Sequence, residues 1–599
     1  MILLHKEFRR LISLDRAIEL ALEYAPRPRV RSVHLNDALG RVLAGNVIAE
    51  IDVPHFDRAA MDGYAVRSEN CIGASESSPV RLRIAGSVSA GSIPCASAGP
   101  GEAVEVSTGA AMPEGADAVV MVEHADAADG YVMIRRPVHL YENVQRRGAD
   151  VSLGERVLSS GTYLGPREIG MLAALGMNRV NIRSLEVGVA STGNEILSPD
   201  ENLMPCRIYD VNTYTISSAL SQIGAEPVVY GVVPDSYDAL AETIATALIN
   251  CDMVVLSGST SAGRGDMLYR VVSDLGELVF HGINLKPGKP TLFGRVGGKP
   301  VVGLPGYPTS ALTVFWQLVA PMIQRSLGLR SRPVSVKATL ARPFKSESRR
   351  QMLPVILHRG RAYPFDRGSG AVTTLAASDG IIDIPAEREY LHAGEVFEVH
   401  PLSCDDLDLI ISGESCPLLE STLDRMNLRF RYLVRGSMRA LSDLQDGLAD
   451  IACITSPREL PEGLRVAASY RRELGLISTT PNLLLNPDGA TFAGWSRESC
   501  VRSIMDSMLP SVRTSLEVRT HTGAALAVIQ GKADLAIAIK ESAVMWGLQF
   551  KHLAEDEVSI VARMDDTREI IKDIADALKE RSQNASVGTS MDEPNSFLR

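Results

Sequence analysis

Side chains able to do acid–base or metal chemistry sit where apolar runs of this chain break into loops. Asp62 precedes Gly63, Thr108 lies in Ser107-Thr108-Gly109, Glu195 closes Ser191-Thr192-Gly193-Asn194-Glu195, Asp235 follows Pro234, and Asp266 ends a glycine/serine loop. That loop follows the apolar run 253–256, a buried-strand pattern, and contains Ser259, Ser261 and Gly263. Lys286 and Lys289 bracket Pro287-Gly288, and Pro305-Gly306 with Pro308 make another rigid turn ahead of Ser310. Backbone N–H groups in a small-residue loop at a helix start suit an oxyanion, and lysines neutralise one. Carboxylates beside an anion site point to a bridging hard cation, here magnesium, with Asp235 and Asp266 as its ligands. The plainer alternative also stands: Asp235 and Asp266 suit helix caps, and Lys-Pro-Gly is a common turn.

The elements that must position these groups follow from periodicity. Residues 10–50 predict helices, the first with Leu11, Ile12, Ala17, Ile18, Leu20, Ala21, Leu22 and Tyr24 on one face, the second over 35–43. Short strand patterns punctuated by Gly and Pro fill 52–143. Residues 185–328 alternate strands (187–190, 227–233, 253–256, 301–304) with helices (211–223, 236–250, 265–275, 309–327), which predicts a mostly parallel sheet covered on both faces. In such a sheet, ligands bind beyond the carboxyl ends of the strands, where three of the four carboxylates fall. Residues 331–402 return to strands and predict a small barrel. The expected domains are therefore 1–51 with 144–184, helical and discontinuous; 52–143, β-rich; 185–328, α/β; 331–402, barrel; 405–581, a further α/β module; and 582–599, a polar, disordered tail.

In that last module the chain echoes itself. Residues 435–454 and 519–539 each give a polar turn, a helix, Gly-x-Ala-Asp and a strand, with Gly447 and Asp450 matching Gly531 and Asp534. Two such units predict a two-lobed module with helix N-termini facing a cleft.

Composition removes other classes of function. With 599 residues the chain exceeds one core, its net charge is −11, and aromatics are 5%. That balance argues against nonspecific nucleic-acid binding. The eight cysteines show no C-x-x-C spacing, so neither a zinc ribbon nor a redox dithiol is signalled. The first residues are broken by charge, and no run reaches membrane-spanning length, so the expected location is the cytoplasm, with no membrane partner.

FDRAAMDGYAV, STGAAMPEGADAVVM, STGNEIL, SGSTSAGRGD, LKPGKP and GLPGYPTSA occur in that order. Across residues 10–402 this set resembles the molybdopterin molybdenumtransferases, the MoeA proteins and the matching domain of gephyrin. The resemblance implies an elongated four-domain core and a homodimer, with the cleft shared between the α/β domain of one subunit and the β-rich domain of the other. It implies insertion of molybdate into adenylylated molybdopterin with release of AMP and help from Mg2+. A molybdopterin adenylyltransferase upstream and cofactor-accepting molybdoenzymes downstream become partners. Tungsten in place of molybdenum, or a cofactor or oxyanion sensor on the same scaffold, are the alternatives. Residue by residue, Asp62, Thr108, Glu195, Asp235 and Asp266 match functional positions. Lys286, Lys289, Pro305, Pro308 and Ser310 match oxyanion and turn positions, and Arg350 and Ser369 match the molybdate site. Three positions depart from the family pattern: Asn194 for the usual Asp, Ser257 for Gly, and Tyr307 for Asn. Residues 405–565 resemble a periplasmic-binding-protein-like domain, with Ser437, Thr520 and Thr522 as its candidate ligand residues.

Overall fold

The computed structural model describes residues 11–258, 260, 267–329, 335–365, 368, 370–402, 407–455, 459–487, 489–508 and 513–586. Its first helix, Leu14–Glu23, is capped by Ser13, whose Oγ accepts from the Arg16 N–H at 3.2 Å, and it buries Leu14, Ala17 and Ala21. The expected second helix is not there. Arg29–His34 is a strand paired antiparallel with Arg179–Ser184, followed by a single turn at Leu35–Asp37 and a short strand at Val42–Leu43. Leu35, Ala38 and Leu43 still reach a common core with Leu172, Val180 and Ile182. Their helix-like spacing is overridden by a strand partner far along the chain, which local periodicity cannot register.

The β-rich domain is a six-stranded sheet in which Gly63–Val66 lies between Ala118–Met121 and Glu102–Val106. The chain packs so closely here that a Cβ on Gly63 would lie 1.9 Å from the Val120 carbonyl oxygen.

The next sheet runs Glu226–Val233, Glu186–Thr192, Met253–Ser257 and Lys299–Leu304, all parallel, then Leu292–Val296 and Gly276–His281 antiparallel at one edge. Its strands are apolar on both sides because helices cover both. Met253 and Val255 face Ile216, Leu220, Val314 and Ile323; Val254 and Leu256 face Leu240, Ile244, Leu268 and Val271. The alternating helices and strands of the sequence describe the parallel part. The antiparallel hairpin at the edge, carried by a β-branched and aromatic stretch after helix Met267–Leu275, is an addition to it.

Five strands close into the barrel: Arg350–His358, Arg361–Pro364, Val336–Leu340, Val396–Pro401 and Gly380–Ile384, the last pairing back to the first. Strand Leu285–Lys286 of the α/β domain joins it in parallel, Leu285 opposite Arg350.

The C-terminal module is an eight-stranded sheet whose two lobes have separate cores. Two long strands, Leu464–Ser478 and Gln549–Arg563, pair along their length and pass from one lobe to the other. The first lobe docks on the barrel. Ile356, Tyr363 and Phe365 pack against Ile410, Leu433 and Leu448. Around them Arg342 bonds Asp443 at 2.8 Å, Arg431 bonds Asp379 at 2.7 Å and Arg359 bonds Asp450 at 2.6 Å. The last helix, Glu569–Ser586, continues past residue 582, where a disordered tail was expected; residues 587–599 lie outside the described set. Among the described residues no helix is long and apolar enough to cross a membrane.

Candidate functional site

Four loops leave the carboxyl edge of the parallel strands. Glu186–Thr192 runs into Gly193, Asn194 and Glu195; Glu226–Val233 into Pro234 and Asp235; Met253–Ser257 into Gly258; and Lys299–Leu304 into Pro305. Neighbouring loops are tied together. Asn194 Oδ1 accepts from the Asp235 N–H at 3.2 Å. Ser236 caps the following helix, its Oγ accepting from the Ala239 N–H at 3.3 Å. The cap reading of Asp235 is thereby taken over by its neighbour. Gly258 has φ +107°, and a Cβ there would lie 2.2 Å from the Thr192 carbonyl oxygen, so only glycine lets these two strand ends meet.

One tie was not in the expected set. Asn212, at the start of helix Asn212–Gln222, donates through Nδ2 to Ser257 Oγ and to the Gly306 carbonyl oxygen, both at 2.7 Å. Ser257 Oγ in turn donates to the Pro305 carbonyl oxygen at 3.1 Å. The signal was Asp210-Val211-Asn212, polar residues interrupting an apolar pattern at a helix start. Ser259, Ser261, Gly263 and Asp266 lie outside the described residues.

The cationic side comes from the join between sheet and barrel. Lys286 Nζ lies 3.0 Å from Glu347 Oε1, a hydrogen bond that holds the Glu347 carboxyl below the usual range. Arg350 already has carboxylate partners: Asp383 at 2.6 Å and Asp15 of the first helix at 2.7 Å. The hydrogen bonds to Asp383 and Asp15 raise its already high pKa further against the cost of burial. Lys289 is exposed, and its carbonyl accepts from the Ile283 and Thr291 N–H groups. Pro308 opens the helix Pro308–Val314, in which Ser310 is buried, after the buried Pro305. Ser369 lies outside the described residues, but its neighbour Gly370 sits against the Tyr307 ring.

Asp62 and Thr108 meet in the β-rich domain. Asp62 Oδ1 accepts from the Thr108 N–H at 2.7 Å, because the two residues flank paired strands at the same end. The structure thus places the Glu195, Asp235 and Pro305 loops at one edge of the sheet, pairs the strand of Lys286 with that of Arg350, and joins Asp62 to Thr108.

In the C-terminal module Ser437 opens the helix Ser437–Gln445, and its Oγ accepts from the Thr455 N–H at 3.1 Å. Thr520 caps His521–Ile529, its Oγ1 accepting from the Gly523 N–H at 2.9 Å, and Thr522 lies in that helix's first turn. Sequence reasoning missed Glu414, Ser499 and Cys500: the Glu414 carboxylate accepts from Ser499 Oγ, the Cys500 N–H and Ser437 Oγ. Gly413-Glu414-Ser415-Cys416-Pro417, a strand end followed by Pro at a helix start, was the available signal.

Residues 12–176 match the MoeA N-terminal region (domain I and II), 188–325 a probable molybdopterin binding domain, 337–402 the MoeA C-terminal region (domain IV), and 420–579 a PBP superfamily domain. A putative molybdopterin biosynthesis protein of Methanocaldococcus jannaschii is 34% identical over 383 residues, 62% of this chain and 92% of that one. A molybdopterin molybdenumtransferase of Haemophilus influenzae is 33% identical over 410 residues, 66% of this chain and 99% of that one. Two solved structures of MoeA proteins from Pyrococcus horikoshii superpose with TM-scores of 0.59 and 0.55, at 40% and 32% identity, covering 66% and 65% of this chain and 100% and 99% of theirs. The chain belongs to the MoeA family.

Within the MoeA frame, the three departures have physical places. Asn194 keeps the acceptor oxygen that fixes the Asp235 loop while carrying no charge. Ser257 uses its hydroxyl to tie the strand end to the Pro305 turn. Tyr307 is 62% exposed and extends the Pro305 turn toward the barrel loop at Gly370. The two-lobed module docked on the MoeA barrel lies beyond the part that these relatives match.

Proposed function

We propose that this chain inserts molybdenum, presented as molybdate, into molybdopterin during molybdenum cofactor biosynthesis, acting on the adenylylated pterin and releasing AMP. The observation that carries this reading is that the Glu195, Asp235, Gly258 and Pro305 loops leave one carboxyl edge of the sheet, and that Lys286 lies on the connection between the two antiparallel edge strands, which leaves the sheet at the same end. Relatives matched over nearly their whole length bear the name molybdopterin molybdenumtransferase.

Molybdate is a tetrahedral dianion, for which Lys286, Lys289 and Ser310 offer charge and a hydroxyl, with Pro305 and Pro308 keeping the turn rigid. Glu347 holds the Lys286 ammonium in place before substrate arrives. Arg350, matched by Asp383 and Asp15, serves to fix the barrel strand next to Lys286. The Gly258 loop, continuing through Ser259, Ser261 and Gly263, offers backbone N–H groups to the pyrophosphate. Among the described residues no group of three or more His, Cys, Asp or Glu is arranged for a metal. Magnesium commonly takes one or two carboxylates and completes its shell with water and substrate phosphate. Asp235 and Asp266 would hold it, and it would supply charge neutralisation at the bond to AMP. Glu195 and Asp235 are kept in register by Asn194, and Asp62 with Thr108 completes the site from the second copy of a homodimer. The chain works in the cytoplasm, taking its substrate from a molybdopterin adenylyltransferase and passing product to molybdoenzymes.

Incubation with adenylylated molybdopterin, magnesium and molybdate is expected to release AMP and yield cofactor; intact substrate binding with no AMP release rejects the reading. The shared site has its own test. Asp62→Ala and Asp235→Ala are each expected to be inactive, and their mixture to recover about a quarter of wild-type activity, since half of randomly assorted dimers carry one intact site. No recovery on mixing means that each site belongs to one chain.

A further inference from the structure

Between the lobes of the C-terminal module lies a polar cluster that the molybdenum chemistry does not use. Glu414 follows strand Leu409–Gly413 of the first lobe and is 4% exposed. Its Oε2 accepts from Ser499 Oγ at 2.9 Å, and its Oε1 from the Cys500 N–H at 3.1 Å and from Ser437 Oγ at 3.5 Å. Ser499 and Cys500 belong to the second lobe, where Cys500 begins the helix Cys500–Met508; Ser437 begins a helix of the first lobe. One carboxylate thus takes donors from the first turns of two helices in opposite lobes, the position an anionic ligand would take in such a cleft. Burial raises the Glu414 carboxyl against the pull of these donors.

Two further buried polar atoms lie at strand ends, one in each lobe. Thr455, 4% exposed, leaves its Oγ1 without a partner while its N–H donates to Ser437 Oγ at 3.1 Å. His521, 1% exposed at the start of a second-lobe helix, leaves Nδ1 without a partner, its ring 4.8 Å from that of Trp495. Buried polar atoms left unpaired are costly and mark where a ligand or water belongs. The cleft is shut: a Cβ on Gly436 of the first lobe would lie 1.8 Å from the Glu498 carbonyl oxygen of the second. Arg472, on the long strand between lobes, is neutralised by Asp556 at 2.8 Å and donates to the Ser415 carbonyl oxygen at 3.1 Å. It is therefore not a free cation that would hold an anion together with Glu414.

We propose that Glu414 is a built-in surrogate ligand, and that the module binds a small free oxyanion by exchanging it for the Glu414 carboxylate on Ser437, Ser499 and Cys500. Hydroxyl and N–H donors already satisfied by a carboxylate select that ligand chemistry. An organic carboxylate and a tetrahedral oxyanion share it, and the test separates them. The inference does not depend on the molybdenum-insertion reading.

The test uses full-length protein and hydrogen exchange at the first turns of the Ser437 and Cys500 helices, a readout that anion binding elsewhere in the chain does not move. Glu414→Ala is expected to speed exchange at both turns. Formate, acetate, molybdate or sulfate is then expected to restore protection at concentrations roughly tenfold below those that act on the wild type. Protection by formate or acetate assigns an organic carboxylate, and protection by molybdate or sulfate a tetrahedral ligand. Unchanged exchange in Glu414→Ala, or failure of all four anions to protect, overturns the proposal. Should Glu414→Ala not fold, the isosteric Glu414→Gln decides. It keeps shape and loses charge, so an anion is expected to compete with it more readily; anion concentrations equal to those of the wild type overturn the proposal.

Discussion

The two lobes of the C-terminal module carry the same Gly-x-Ala-Asp turn and put it to different loads. In each, the aspartate pins the start of the neighbouring parallel strand: Asp450 Oδ2 accepts from the Ile410 N–H, and Asp534 Oδ2 from the Thr491 N–H, both at 2.8 Å. Asp534 is exposed and adds only the Thr491 hydroxyl at 2.7 Å. Asp450 is buried and also takes Arg359 at 2.6 Å, Arg568 at 2.7 Å and His358 at 3.3 Å. His358 and Arg359 come from the barrel, so the first lobe's copy has become the anchor between module and core. A shared motif sets the backbone geometry; its surroundings set what the motif is worth.

The largest effect is expected from Asp450→Ala, which leaves the buried Ile410 N–H unpaired and takes one carboxylate from Arg359 and Arg568, both of which still reach Asp566 or solvent, and costs about 2–3 kcal/mol in chemical denaturation. A loss no greater than that of Asp534→Ala means the anchor carries no special load. Acid is the next probe. Burial would raise the Asp450 carboxyl, but hydrogen bonds from His358 and the Ile410 N–H, with the His358 and Arg568 charges, hold it to about 2 against an ordinary 3.8. The folded state therefore binds this proton less readily than the unfolded state. Its stabilisation is complete above the ordinary value and is lost as pH falls through about 2, a change on the order of 2 kcal/mol. Hydrogen exchange at the barrel–lobe contact, followed down in pH, is expected to show this step in the wild type and not in Asp450→Asn. Next, Gly447 has φ +78° and Gly531 φ +65°. Because the strain is local to the turn, Gly447→Ala and Gly531→Ala are each expected to cost about 1–2 kcal/mol, nearly alike. A wide gap between them means the turns differ. The smallest effect is expected from Asp534→Asn, roughly 0.5 kcal/mol or less, because the amide keeps the acceptor oxygen.

This echo was legible in the sequence because turn chemistry is local: Gly for a left-handed turn, Asp for a strand start. The parallel sheet was legible for a related reason, since apolar runs of four or five residues alternating with helix periods leave few topologies. What escaped depends on partners distant in sequence. The helix expected at 35–43 gave way to strand and turn because Arg29–His34 found Arg179–Ser184. The pairing of Arg350 with Asp15 joins residues 335 apart, and nothing near either one announces it. Glu414 looked like an ordinary loop residue, since its donors come from two distant strand–helix connections, Ser437 from one and Ser499 with Cys500 from the other. Spacing found the Glu195 and Asp235 loops, but the tie through Asn194 and the cap at Ser236 needed coordinates.

The docking of the first lobe on the barrel makes the two parts a linked equilibrium. Ile356, Tyr363 and Phe365 are covered by Ile410, Leu433 and Leu448, so separating the module exposes an apolar face on each side. A ligand that binds only the docked, folded module therefore adds its binding free energy to the barrel's resistance to unfolding, by RT ln(1 + [L]/Kd). Reciprocally, whatever stabilises the barrel would tighten the binding of such a ligand. Removing the module to simplify the enzyme would change the core being measured.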